Sequence, residues 1–195
     1  MKTSPPATQE KLIKHNKTLF RMDRLVKNLL DLSALELKTS YKPDYFNLKE
    51  LVDLVFEEFA ELIEAATIQL SVTVQEEIIL FADREKIRRL LINIIDNSIK
   101  YNVDKDGLIA FKATIEDKYC LIDLYNSGPG IPKDETEAVF SQFYRIEKSR
   151  STAHGGSGLG LTIVKQIVEL NNGEVKIVSE ADKGTHILVK LPLTA

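Results

Sequence analysis

Asn93 and Asn97 stand four residues apart in NIIDNSIKYN (93–102), and Lys100 and Tyr101 follow one turn later. Residues four apart on a helix share a face, so this spacing aligns two carboxamides, an ammonium and a phenol. An amide oxygen is a hard, neutral ligand for Mg²⁺, an ion that keeps several waters and is shared with nucleotide phosphates. A second stretch, GGSGLGLTIV (155–164), gathers four of the chain's nine glycines into six positions. Glycine inside a helix costs roughly 0.5–1 kcal/mol against alanine, so such a cluster marks a loop or a close backbone approach. It runs into Leu159, Leu161, Ile163, Val164, Ile167 and Val168, a helical pattern that stops at Asn171-Asn172-Gly173. Gly156, Gly158 and Gly160 therefore lie at a helix N-terminus, where free N–H groups and the helix dipole favour phosphate. Taken singly, the first stretch is equally a polar helix face and the second an ordinary flexible loop.

The elements that must position these groups follow from composition and periodicity. The chain has 195 residues, 44% of them hydrophobic, which suffices for a core. A net charge of -3 argues against a nucleic-acid binder. No apolar run is long enough to span a bilayer, and no signal peptide is visible. The single cysteine, Cys120, lies in an expected strand and reads as a core residue of a protein in a reducing compartment. Three scattered histidines give no zinc spacing.

Residues 1–8 read as a flexible start. From 9 to 38 a helical pattern carries Leu12, Leu19, Met22, Val26 and Leu29 at three- and four-residue steps, flanked by further leucines. That stripe is too wide for a helix alone in water, so another chain or another segment must cover it. TSYKPDY (39–45) reads as a linker. Asn47 caps a second helix reaching Ile63, strands follow at 68–74 and 78–82, and Asp83 starts the helix that carries Asn93 and Asn97. Strands at 108–115 and 119–125, a turn at 126–132, a short helix ending near Phe140, an irregular polar stretch at 141–157, the glycine-started helix and two closing strands complete the chain. Helices with mostly antiparallel strands in this order predict an α+β, two-layer α/β sandwich over 46–195, preceded by one long helix.

Taken together, the motifs resemble the catalytic, ATP-binding domain of sensor histidine kinases, within the superfamily shared with Hsp90-type ATPases, type II topoisomerases and MutL. NIIDNSIKYN is similar to the N box. The resemblance implies that Asn97 holds Mg²⁺ and that Lys100 and Tyr101 contact phosphate. Hydrolysing members of the superfamily carry a glutamate where Asn93 stands; an amide cannot act as a general base, which favours phosphoryl transfer to a protein over hydrolysis. NSGPGIP (126–132) is similar to the G1 box, with Gly128, Gly130 and Ile131 in register, but Asn126 replaces the aspartate that accepts a hydrogen bond from the adenine amino group. Kinases of the vancomycin-resistance sensor type also carry asparagine there. An amide turned one way accepts from adenine and turned the other way donates to guanine, so both bases stay open at this position. VFSQFYRIEKSRS (139–151) is similar to the F box: Phe140, Phe143 and Tyr144 would anchor a lid, and Arg145 would reach the γ-phosphate. Gly156, Gly158, Leu159, Gly160 and Leu161 complete the glycine box, and Thr185 in the last strand is implied to touch phosphate. Arg150 and His154 read as ordinary loop residues.

The resemblance extends to VKNLLDLSALE (26–36), similar to the end of the second helix of a dimerisation hairpin. The acceptor motif of the first helix is not found. His15 lacks the acid, the proline and the chain length for the role. The chain is thus expected to be a fragment: the second hairpin helix, 9–38, and the ATP-binding domain, without the power to phosphorylate itself. ATP and Mg²⁺ are the implied cofactors. The implied partners are a histidine-bearing dimerisation helix, a response regulator and, through helix 9–38, a second copy of the chain. The implied place is the cytosolic side of a membrane-bound sensor. Two other classes share these boxes: an anti-sigma-type serine kinase, which would lack the bundle helix, and a non-catalytic ATP-binding scaffold.

Overall fold

Asparagine and aspartate are strong N-caps, and each of the first two helices of the domain begins on one. Asn47 Oδ1 accepts from the Glu50 N–H at 3.1 Å, and Asp83 Oδ1 accepts from the N–H groups of Glu85 and Lys86. The computed structural model describes residues 18–19, 22–23, 25–30, 32–33, 41–103, 105–146 and 157–194. In chain order these give β1 (Asp44–Asn47), α1 (Leu48–Ala65), β2 (Gln69–Val74), β3 (Ile79–Ala82), α2 (Arg84–Lys100), β4 (Leu108–Glu116) and β5 (Tyr119–Asn126). After two short 3₁₀ turns, Lys133–Glu135 and Ala138–Phe140, come α3 (Gly160–Leu170), β6 (Glu174–Ser179) and β7 (Thr185–Pro192). The described residues between 18 and 33 are helical.

The sheet runs β2-β4-β5-β7-β6, and β1 pairs with β3 in a separate ribbon. β2 lies parallel to β4 and the other pairs are antiparallel. Alternation along β5 buries Cys120, Ile122, Leu124 and Asn126, and along β7 it buries Thr185, Ile187, Val189 and Leu191. These side chains meet Leu51 and Val55 of α1, Leu90, Leu91 and Ile94 of α2, and Ile163, Ile167 and Val168 of α3 in one core. Asn126 and Thr185 are register partners. The apolar stripe of the sheet therefore ends, on its core face, in an amide beside a hydroxyl. That polar end becomes the floor of the site.

Cys120 belongs to this core, and burial pushes its thiol up to about 12, so at neutral pH it is a protonated apolar group. The segment read as a linker is more structured than its composition suggests. The Tyr41 hydroxyl donates to Asn171 Oδ1 at 2.9 Å, the Lys42 N–H donates to Asp83 Oδ2 at 2.9 Å, and Asp44 already opens β1. A four-residue strand is too short to show a period, and Pro43 masks it. The expected short helix near Phe140 is instead the pair of 3₁₀ turns.

On the N-terminal helical segment, Leu19, Met22, Val26, Leu29 and Leu30 are exposed, whereas Asn28 and Leu32, four apart, are buried against the domain. No described helix is long and apolar enough to cross a membrane. Because Asp83 both caps α2 and holds Lys42, replacing it with alanine should lower stability by about 1–2 kcal/mol, read as a lower urea midpoint. An unchanged midpoint would show that the cap does not hold α2.

Candidate functional site

A cavity of about 300 Å³ opens between α2, the start of α3 and the polar end of β5 and β7. Its size is at the lower end of small-ligand sites. One wall is α2. Asn93 is buried, and its Nδ2 donates to the Arg89 carbonyl one turn back at 2.8 Å. This fixes the amide, and its Oδ1 lies against Gly160, where a Cβ would approach it to 3.0 Å. Asn97 lines the same wall one turn on. Lys100 lines it too, and its ammonium pairs with Asp96 on the turn before it.

The floor is set by Tyr101, the C-cap of α2. Its carbonyl accepts from Asn126 Nδ2 at 3.2 Å. A carbonyl can only accept, so the amide must direct its NH₂ at Tyr101. This turns Asn126 Oδ1 away from that carbonyl as an acceptor, while the second N–H of the same amide remains a donor. Gly128 packs on the same carbonyl: a Cβ at this position would come within 1.9 Å of the Tyr101 oxygen. Gly130, at φ +76°, turns the chain so closely under Glu180 that a Cβ would sit 2.3 Å from its carbonyl oxygen. The loop is stapled there by Asp182 N–H to the Pro129 carbonyl and by Ile131 N–H to Ser179 Oγ. Ser179 Oγ also contacts Thr185 Oγ1 at 2.9 Å.

The far wall carries Tyr144, whose hydroxyl donates to Glu135, and Arg145. The start of α3 adds Ser157, Gly158, Gly160 and Leu161. Apolar surface comes from Pro129, Ile131, Pro132, Val139, Ile146, Ile177 and Ile187. Among the described lining residues there is no Asp, Glu or His.

The structure thus brings together Asn93, Asn97, Lys100, Tyr101, Asn126, Gly130, Ile131, Tyr144, Arg145, Gly158, Gly160, Leu161 and Thr185 around one cavity. Three expected residues stand outside its lining. Gly128 supports the floor from behind. Leu159 is fully buried in the core, and its N–H is spent on Ser157 Oγ. Phe143 is 56% exposed with φ +61°, and its backbone N–H donates to the Gly158 carbonyl at 3.0 Å; the segment it was expected to anchor, 147–156, lies outside the described residues. Gly156, His15, Arg150 and His154 lie outside the described residues. Two participants were not read from sequence. Asp96 pairs with Lys100 and was legible as an i,i+4 partner; Asn28 lines the cavity from a distant helix, with no local signal.

A family model described as histidine kinase-, DNA gyrase B- and HSP90-like ATPase matches residues 82–195. The chain belongs to this ATPase family. Among curated relatives, the sensor histidine kinase YclK of Bacillus subtilis is 37% identical over 182 residues, covering 90% of this chain and 37% of YclK. The signal transduction histidine-protein kinase ArlS of Staphylococcus aureus is 43% identical over 100 residues, 51% of this chain and 22% of ArlS. The chain therefore spans well under half the length of either relative. Among solved structures, the nucleotide-free catalytic domain of histidine kinase ThkA matches at TM-score 0.70 and 28% identity, over 78% of this chain and 97% of that one. ThkA in complex with the response regulator TrrA matches at TM-score 0.77 and 26% identity, over 98% of this chain and 53% of that one.

The floor geometry makes a sharp demand on Gly128. Gly128→Ala should keep the far-UV spectrum of the folded chain yet weaken nucleotide binding by roughly tenfold or more, each tenfold being about 1.4 kcal/mol, in a calorimetric titration. Wild-type affinity in this variant would refute the floor geometry.

Proposed function

We propose that this chain is the ATP-binding catalytic part of a two-component sensor histidine kinase. It would transfer the γ-phosphoryl group of ATP to a histidine on a dimerisation helix, for relay to a response-regulator aspartate. The observation that carries this reading is the amide of Asn93 on the cavity wall, at the position where hydrolysing members of the superfamily carry a glutamate. Hydrolysis calls for a group that takes a proton from water. Asn93 stands buried on the α2 wall with its NH₂ committed to the Arg89 carbonyl, and an amide takes no proton. The acceptor is then a nucleophile that needs no base at this site, such as the neutral imidazole of a histidine presented by another element.

The roles divide by chemistry. Asn126 Oδ1 and the apolar side chains receive the adenine ring. The N-terminal turn of α3, flanked by Gly158 and Gly160, offers backbone N–H groups to phosphate. Lys100 and Arg145 are the cations of the lining, suited to the charge that spreads over the transferred phosphoryl oxygens. Thr185 and Tyr101 supply further polar contact. The donor set also fits Mg²⁺: no cluster of His, Cys, Asp or Glu that could hold a metal exists among the described residues, and amide oxygen is the hard donor present, with Asn97 the residue to hold the ion. When bound, Mg²⁺ neutralises phosphate charge. A cation shared with the nucleotide needs few protein ligands. The N-terminal helix, with Leu19, Met22, Val26 and Leu29 exposed, is suited to pairing with a histidine-bearing helix or a second copy, on the cytosolic side of a membrane-bound sensor.

Incubated with [γ-³²P]ATP, Mg²⁺ and a histidine-bearing dimerisation domain, the chain should place label on that domain in a form stable to alkali and labile to acid. Asn97→Ala should remove most of that labelling, and the chain alone should stay unlabelled. Label released only as inorganic phosphate would overturn phosphoryl transfer. Nucleotide binding with no transfer would leave a scaffold.

A further inference from the structure

Asn28 belongs to the N-terminal helical segment, far in sequence from every box of the site, yet it is 3% exposed and lines the nucleotide cavity. Both halves of its amide are engaged. Arg89 Nη2 donates to Asn28 Oδ1 at 2.6 Å, and Asn28 Nδ2 donates to Ser157 Oγ at 2.9 Å. A guanidinium only donates, so the amide has one orientation here. The contacts close into a circuit. The Arg89 carbonyl accepts from Asn93 Nδ2, Asn93 Oδ1 lies against Gly160, and Ser157 Oγ accepts from the Leu159 N–H just ahead of Gly160. Three elements, the N-terminal helix, α2 and the start of α3, thus meet through one side chain on the cavity wall.

The same helix has only one other buried attachment among its described side chains, Leu32. Asn28 and Leu32 lie four apart and form a narrow docking stripe, one polar and one apolar. The neighbours Val26, Leu29 and Leu30 are exposed. Undocking the helix would strip Arg89 and Ser157 of a buried hydrogen-bond partner next to Asn93 and Gly160.

We infer that Asn28 is a positioning residue of the nucleotide site, through which docking of the N-terminal helix and binding of nucleotide strengthen each other. The inference rests on the reading of the cavity as an ATP site. Coupling between two binding events is reciprocal. Bound nucleotide should hold residues 25–33 on the domain, and whatever draws that helix away should loosen the nucleotide. The start of α3, which offers N–H groups to phosphate, is held by Ser157, and Ser157 is held by the helix. The helix is therefore a lever on the nucleotide site rather than a passive tether.

The test uses the full chain and three measurements: calorimetric ATP affinity with Mg²⁺, hydrogen exchange of residues 25–33 with and without ATP, and the same pair for Asn28→Ala and Asn28→Asp. Wild-type exchange over 25–33 should slow when ATP binds. Asn28→Ala should bind ATP about fivefold more weakly and lose that response. Asn28→Asp keeps an acceptor for Arg89 and can accept from the Ser157 hydroxyl, so it should restore both. A purely structural role would not make helix exchange respond to nucleotide. Wild-type ATP binding with helix exchange indifferent to it, or Asn28→Ala binding ATP as wild type does, overturns the coupling and leaves the ATP site standing. A wild-type chain that binds no ATP removes both.

Discussion

The hydrogen bond from Asn126 Nδ2 to the Tyr101 carbonyl, with Gly128 packed on the same oxygen, joins the end of β5 to the end of α2. The Ser127 hydroxyl, donating to Asn102 Oδ1 at 2.9 Å, ties the same two ends together. The Asn126 bond also fixes which way the amide is turned. An aspartate at this position would bring charge and two acceptors and would face the same carbonyl with repulsion. The asparagine satisfies the carbonyl and still presents one acceptor, giving up charge assistance for an internal contact that locks its orientation.

Around that joint the site is made of element ends. The Asp83 cap starts α2 in register, and one face of the helix buries Leu90, Leu91 and Ile94, which turns Asn93 and Asn97 to the cavity. α3 begins against the same wall because Gly160 leaves room for Asn93 Oδ1. The strands contribute the last buried-phase residues of their stripes, Asn126 and Thr185. Among the described residues the lining is rich in amides and carries the cations Lys100, paired with Asp96, and Arg145. On the proposed reading, the described lining receives a polyanion on amides, backbone N–H groups and cations.

Much of this was legible in sequence because it rests on local signals. Helix periods, the Asn47 and Asp83 caps and the Asn171-Asn172-Gly173 stop are written in neighbouring residues, and they mark the helices observed. The N, G1 and glycine boxes meet at one cavity because each sits at an element end. What sequence could not supply is non-local. The orientation of Asn126 depends on a carbonyl 25 residues away, and the role of Asn28 depends on a partner 61 residues away. Strand β1 escaped notice because four residues carry no period, and its partner is β3 rather than its neighbour in sequence. The left-handed backbone of Phe143, which places its ring outside the described lining, likewise carries no signal in the sequence.

The most direct test of the account is a calorimetric titration of the chain with ATP and with GTP in the presence of Mg²⁺. With Asn126 Oδ1 held as an acceptor, the adenine amino group finds a partner and the guanine carbonyl meets a second acceptor. A buried polar group left unmatched costs about 1–3 kcal/mol, so ATP should bind tighter than GTP by roughly tenfold or more. Equal affinities would contradict the locked amide, and with it the joint on which the rest of the site is built.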